Sequence, residues 1–356
     1  MMIFLHYKFF GLIKLVALFT GTALSLTIAA QDVAADNMLL YQRSIGGWPK
    51  HINEVKIDYD KKLSPEEKVT LLKDHNRKDA TIDNSATTKE IRYLLKAYKQ
   101  SNNANYKNAA EKGIKYLLQM QYSNGGFPQY FPDSSSYRSQ ITFNDNAMIN
   151  VMNVLWDVAE KKEEFSVVNK ALIKPAEEAI AKGIDCILKT QIKVNGKLTA
   201  WCPQYDKNTL QPAKARAFEL PAISASESAG IVSFLMKVKQ PSLPIQQAVQ
   251  SAMQWFGISK ITGYKYVDIN DERQPNGKDR VLQKDTASTV WARFYDIESN
   301  KPFFTGRDGV KKWNLVEIEH ERRTGYAWYG TWPKKLIEKE YPAWVTKNGI
   351  NDNARK

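Results

Sequence analysis

Two short stretches set a carboxylate beside an amide just ahead of an apolar helical pattern. "TIDNSATTKEIRYLL", residues 81–95, carries Asp83 and Asn84, and "FNDNAMINVMNVL", residues 143–155, carries Asp145 and Asn146 in the same place. A third stretch, "SASESAG", sets Glu227 before another apolar run. A lone Asp there reads as a helix N-cap, which satisfies free amide groups and complements the helix dipole. Two such carboxylates brought close together repel unless a proton or a cation lies between them. Carboxylate and amide oxygens are hard ligands suited to Ca²⁺, which takes about 6–8 oxygens. A few side chains leave most of that shell open to water and substrate, as a catalytic rather than a structural ion requires. Zinc is excluded: one of the four His, His6, stands in the N-terminal apolar stretch, and no Cys–His spacing resembles a zinc motif.

The basic residues supply the other half. "AKARAFELP" gives Lys214 and Arg216, "WARFYDIESNKPFFTGRDG" gives Arg293 and Arg307, and "ERRTGYAWYG" gives Arg322 and Arg323. Guanidinium forks bind carboxylates bidentately. The aromatics around them (Trp48, Phe127, Tyr130, Trp201, Tyr205, Trp328 and Trp332) could wall a site for sugar rings.

The elements that must position these groups repeat. "AAEKGIKYLLQMQ" (109–121) and "AIAKGIDCILKTQ" (179–191) share Lys-Gly-Ile, apolar residues at helical spacing and a closing Gln, and "AVQSAMQWFGISK" (248–260) echoes them. The first two lead into the Pro-aromatic turns "NGGFPQYFP" and "TAWCPQYD", and "GGWPK" and "GTWPK" stand near the two ends. A variable loop and a second helix follow each turn. Two helices per unit over a long period predict an α-helical array or closed barrel rather than a doubly wound sheet, with equivalent loops at one end. Extended structure is expected only in pieces such as "TGYKYVDIND" and "GKLTAWCPQYD".

The chain has 356 residues, 43% of them hydrophobic, and no Ser/Gly-rich linker, so one domain is expected from about residue 35 to 350. Residues 1–30 carry Lys8 and Lys14, then an apolar run, then small residues at Ala29 and Ala30: a bacterial-type secretory signal, too short in its apolar part for a span. Its removal takes two Lys and no acid, so the formal charge falls from +13 to +11. An exported, basic protein with scattered Lys and no nucleic-acid motif fits an acidic polymer, an anionic surface or a basic surface with no specific partner, with nucleic acid the least expected. Cys186 and Cys202 are either a disulfide or two buried thiols.

Taken in order, "GGWPK", "DNSATTKEIRYL", "NGGFPQYFP", "TFNDNAM", "WCPQYD", "RAFELPAISASESAGI", "WARFYDI", "GRDG" and "RRTGYAWYGTWP" resemble the pectate lyases of polysaccharide lyase family 10 from about residue 40 to 345. The resemblance implies a mainly α fold, an incomplete α/α toroid of repeated helical hairpins with a long substrate groove and few short strands. It implies a periplasmic or secreted monomer, with no stable membrane association, that cleaves polygalacturonate by Ca²⁺-dependent anti-β-elimination. Asp83 and Asp145 would bind Ca²⁺, with Glu227 beside the metal. Arg216 would take the C5 proton, Arg293 and Arg307 would hold substrate carboxylates, and Lys214, Asn84 and Asn146 would line the substrate. A guanidinium is normally charged, so Arg216 acts as a base only where neighbouring cations loosen its proton. Two other readings stay open: a metal-independent uronyl hydrolase using Asp83 and Asp145 as its acid pair, and a non-catalytic pectin-binding protein.

Overall fold

Three helical hairpins form the body of the molecule. The computed structural model describes residues 32–351, so the expected signal peptide lies outside the described residues. Helices α1 (Val33–Tyr41) and α2 (Pro65–Lys73) come first. The hairpins are α3 (Thr88–Ser101) with α4 (Ala104–Met120), α5 (Ala147–Ala159) with α6 (Ile173–Thr190), and α7 (Ala225–Leu235) with α8 (Leu243–Ser259). The first hairpin shows how local sequence makes the fold. Asn102 ends α3 in the left-handed region and the Asn103 side chain accepts from the Asn105 amide at the start of α4, so two residues reverse the chain.

Helices α5 and α7 are apolar nearly all round and bury residues on every face, which places them inside. They form an inner row, α1–α3–α5–α7, and α4, α6 and α8 stand in contact outside it. The described chain is one compact unit, an incomplete α/α toroid.

The closing Gln of each repeat is the clamp between units. Gln42 Nε2 donates to the carbonyls of Gly46 and Ala109, Gln121 to those of Gly125 and Ala179, and Gln191 to those of Thr199 and Ala248, all at 2.7–3.0 Å. Each Gln therefore fixes its own turn and grips an outer helix further along the chain. The Pro-aromatic turns are plugs rather than walls. Trp48, Trp201 and Trp291 are 0–2% exposed, and their indole N–H groups donate to the carbonyls of Met38, Ile187 and Phe256.

Beyond α8 the helical repeat gives way to a sheet. The strand Ile261–Asn270 pairs antiparallel with Lys278–Ala292, with one irregularity between Thr262 and Tyr264, where Gly263 has φ +82°. "TGYKYVDIND" is thus one arm of a long hairpin rather than a short strand. Helix α9 (His320–Gly325) packs on this hairpin, and α10 (Tyr341–Asn348) closes the described chain. The buried Arg323 fork donates to Asp279 at 2.7 and 2.9 Å and holds hairpin and helix together. Cys186 and Cys202 are buried free thiols. No helix among the described residues is long and apolar enough to cross a membrane.

Candidate active site

Each acid-bearing segment threads between two plug turns. Thr81 donates its amide to Trp48 O and Ile82 to Gln129 O; Thr142 donates to Phe127 O and Phe143 to Pro203 O; Ser224 donates to Trp201 O and Ala225 to Arg293 O. These contacts fix which residues correspond. Asp83 matches Asn144 and Ser226, while Asn84, Asp145 and Glu227 share one position. The backbone agrees: Asn84 and Asp145 have φ of 48° and 50°, and the next residues, Ser85 and Asn146, have 64° and 59°. The expected equivalence of Asp83 with Asp145 is therefore off by one residue. Asp and Asn both tolerate the left-handed region, so "DN" and "ND" fill the same turn in opposite order. Neither Asp caps a helix, because α3 starts only at Thr88 and α5 follows Asn146 without a side-chain cap.

The three positions join into one network. Lys50 Nζ meets Asp83 Oδ2 at 2.6 Å. In the orientation that satisfies both neighbours, the exposed Asn84 amide accepts from Lys50 Nζ at 2.7 Å and donates to Asp145 Oδ2 at 3.2 Å. Arg293 Nη2 donates to Asp145 Oδ1 at 3.0 Å and to Glu227 Oε1 at 2.5 Å. Glu227 Oε1 also receives the Asp145 amide, and Oε2 the Ser224 hydroxyl. Partial burial pushes the Asp145 carboxyl up; Arg293 pulls it back, and Glu227 and Asp83 add to the rise.

Three carboxylates against two cations leave this network with one net negative charge. All of its acceptors are oxygens, and the Asp145 side chain stays 39% exposed. Asp83, Asn84 and Asp145 therefore fit a hard divalent cation with an open shell. Among the described residues no three His, Cys, Asp or Glu side chains form a ready cation cluster. Glu227 is not open to an ion: it is 1% exposed and protein donors take both oxygens. Arg293, expected on substrate carboxylates, is 7% exposed and holds Asp145 and Glu227 instead. Asn146 turns its Oδ1 toward α7, where a Cβ on Gly230 would lie 2.1 Å from it, so it faces packing and not substrate.

The guanidinium half is built on Phe218. Arg216, Arg307 and Arg322 lie 4.9, 4.9 and 4.7 Å from its ring centroid. The loops carrying them are stitched: Thr305 Oγ1 donates to Phe218 O at 2.7 Å, and Gly309, with φ +70°, sits where a Cβ would meet Ala217 O at 2.6 Å. Glu219 clamps Arg216 at Nε (2.9 Å) and Nη2 (2.5 Å), which raises its hold on its proton. Glu321 holds the exposed Arg307 at 2.7 Å. Lys214 is exposed, and its carbonyl accepts from Gln140.

The family model of the pectic acid lyases matches residues 42–337. Among solved structures, a family 10 polysaccharide lyase from Cellvibrio cellulosa is 35% identical, aligned over 89% of this chain and 91% of that one, with a TM-score of 0.76. An aspartate-to-alanine mutant of a family 10 polysaccharide lyase from Cellvibrio cellulosa, in complex with trigalacturonic acid, aligns over 89% and 92% at the same identity and TM-score. The chain belongs to the pectic acid lyases of polysaccharide lyase family 10. No functionally curated relative matches it. In this pectic acid lyase most of the expected aromatic walls are core: Trp48, Phe127, Trp201, Tyr205 and Trp328 are all 0% exposed, and only Tyr130 and Trp332 reach the surface. Lys50, Phe218 and Glu219 were missing from the expected set. Lys50 had a signal: it follows Trp48 by two residues, as Arg293 follows Trp291.

Proposed function

We propose that this lyase cleaves α-1,4-linked polygalacturonate by Ca²⁺-assisted anti-β-elimination, leaving a 4,5-unsaturated uronide at the new end. The observation that carries the reading is the pairing of a net-negative oxygen cluster with a guanidinium cluster, joined through Tyr326. The Tyr326 ring centroid lies 4.8 Å from Arg293 and 5.0 Å from Arg322. One half suits a cation and the other suits the substrate's anions.

Asp83 and Asp145, with the Asn84 amide, would hold Ca²⁺. When bound there, the ion would supply positive charge to neutralise the carboxylate beside C5 and so acidify the C5 proton. Arg216, once substrate draws Glu219 away and its own proton passes to solvent, accepts the C5 proton as a neutral guanidine. The C5–H electron pair becomes the C4=C5 bond, and the C4 oxygen leaves and is protonated from solvent. Arg307 exchanges Glu321 for a substrate carboxylate and orients the chain. Arg293 and Glu227 hold Asp145 in place. The leader at residues 1–30 supports export to the periplasm or beyond.

The decisive experiment follows the ultraviolet absorbance of the new double bond on polygalacturonate, with and without chelator. The lyase reading expects absorbance that chelator abolishes and added Ca²⁺ restores. New reducing ends without absorbance would establish a hydrolase instead. Arg216→Ala should abolish the product while polymer binding persists, and substantial residual turnover would remove Arg216 from the role of base.

A further inference from the structure

Two of the three guanidiniums on Phe218 bring a carboxylate of their own, Glu219 for Arg216 and Glu321 for Arg307. Arg322 does not. It is 8% exposed, its buried Nε has no hydrogen-bond partner, and it also lies against the rings of Tyr326 and Trp328, 5.0 and 5.3 Å away. Its backbone is fixed, because Trp328 Nε1 donates to Arg322 O at 2.8 Å. A guanidinium drawn largely out of water with no carboxylate at ion-pair distance is costly, so its retention here calls for a role. Burial loosens its proton; Tyr326 and the more distant Glu321 oppose that, and Arg307 and Arg216 add to it.

The repulsion is mutual. Through Phe218 the guanidinium carbons of Arg216 and Arg322 are no more than about 10 Å apart. The charged and titratable groups facing Arg216 are Glu219, Tyr137 and Tyr326, with Arg307 and Arg322 across the ring. Of these, Glu219 tightens the hold of Arg216 on its proton most strongly.

We infer that Arg322 is a positioning residue for the elimination, an unpaired buried cation that loosens the proton of Arg216 once substrate has displaced Glu219. Glu219 is its opposite, parking Arg216 as a full cation in the resting enzyme. The inference rests on Arg216 being the base. At an effective dielectric near that of a protein surface, a unit charge at this range shifts Arg216 by about one pH unit.

The test is the kcat–pH profile on polygalacturonate. Activity requires neutral Arg216, so it rises as pH passes through the value at which Arg216 loses its proton. Arg322→Met removes the repulsion and should move that rise about one pH unit upward, while Arg322→Lys keeps the charge and should leave it nearly in place. Glu219→Gln should move the rise downward in the kcat/KM–pH profile, which reports the free enzyme in which Glu219 still holds Arg216. If Arg322→Met raises KM without moving the profile, Arg322 is only a carboxylate ligand and the inference is overturned. Should Arg322→Met fail to fold, Arg322→Lys and Glu219→Gln decide. A Glu219→Gln profile unmoved toward lower pH, or an Arg322→Lys profile displaced as far as a neutral residue would displace it, overturns the inference equally. Full activity in Arg216→Ala sinks the base assignment itself; a dead Arg216→Ala beside an unmoved Arg322→Met profile sinks this inference alone.

Discussion

Arg293 and Arg322 approach the same ring from the two halves of the site, 4.8 and 5.0 Å from the centroid of Tyr326. Arg293 is committed to Asp145 and Glu227, and Arg322 to no carboxylate. Tyr326 therefore sets the spacing between the oxygens that suit a cation and the guanidiniums that suit the polymer. Tyr326→Leu keeps apolar volume but removes two cation–π contacts. Denaturant unfolding should show a loss of about 1–3 kcal/mol, and turnover should fall with it.

Asp83 makes no helix cap, and its partner Lys50 is 24% exposed and can return to water. Asp83→Asn should therefore cost at most about 1 kcal/mol of stability, while activity drops by about 100-fold or more, as for loss of a group that stabilises developing charge. Thermal melts and initial rates measured together check this. A collapse in melting temperature comparable to the loss of activity would contradict it.

The Arg323–Asp279 pair gives the stability a defined acid limb. Burial alone would raise the Asp279 carboxyl, but the Arg323 fork and the Arg280 amide together hold the group below its ordinary value of 3.8. A carboxyl lowered in the folded state contributes stability in full above the unfolded value and loses it as pH falls through the folded one. Asp279→Asn should flatten the part of the pH–stability curve below about 4 that this carboxyl contributes. It should also cost about 3–5 kcal/mol at neutral pH by leaving Arg323 buried and unpaired. Denaturation midpoints collected from pH 7 downward separate the two effects.

Two glycines predict opposite outcomes. Gly125 has φ +89°, and a Cβ there would lie 1.9 Å from Lys182 O, in backbone that cannot yield. Nothing lies within 4 Å of a Cβ at Gly257, in helix α8. Gly125→Ala should destabilise by more than about 3 kcal/mol, and Gly257→Ala should be neutral or stabilising by about 1 kcal/mol.

Burial pushes the thiols of Cys186 and Cys202 up, to about 12 and about 11. Reductant should leave the melting temperature unchanged, and a thiol reagent should react only after unfolding. A melt that falls on reduction would show that the two are bridged.

The helical array was legible because Lys-Gly-Ile, the closing Gln and the plug turns recur at readable intervals, and the clamps at Gln121 and Gln191 give those repeats a physical cause. The register of the acidic positions was misread because the shared letters Asp-Asn outweighed the flanks. Aligning Thr81 with Thr142 and Ala86 with Ala147 gives the observed correspondence. The second arm of the hairpin was missed because Lys278–Ala292 alternates poorly, with charged residues crowded between Lys278 and Asp285. The aromatics were assigned to sugar because they cluster in loops, yet these loops run inward and their rings fill the core. Glu219 had no sequence signal of its own, because its function comes from a turn that folds it back on Arg216.

Asn84 and Asp145 occupy one left-handed backbone socket made twice around the toroid, and Glu227 stands at the matching position in the first turn of α7. The socket sets the direction in which a side chain leaves the turn, and the side chain sets what is done there. Position 84 holds an amide that bridges, position 145 a short carboxylate that stays at the mouth, and position 227 a longer one that reaches back to Arg293. Exchanging residues between these positions is thus a way to redesign the proposed ion site without touching the scaffold. An acid placed at position 84 adds charge at the mouth, where the backbone already accepts the left-handed turn.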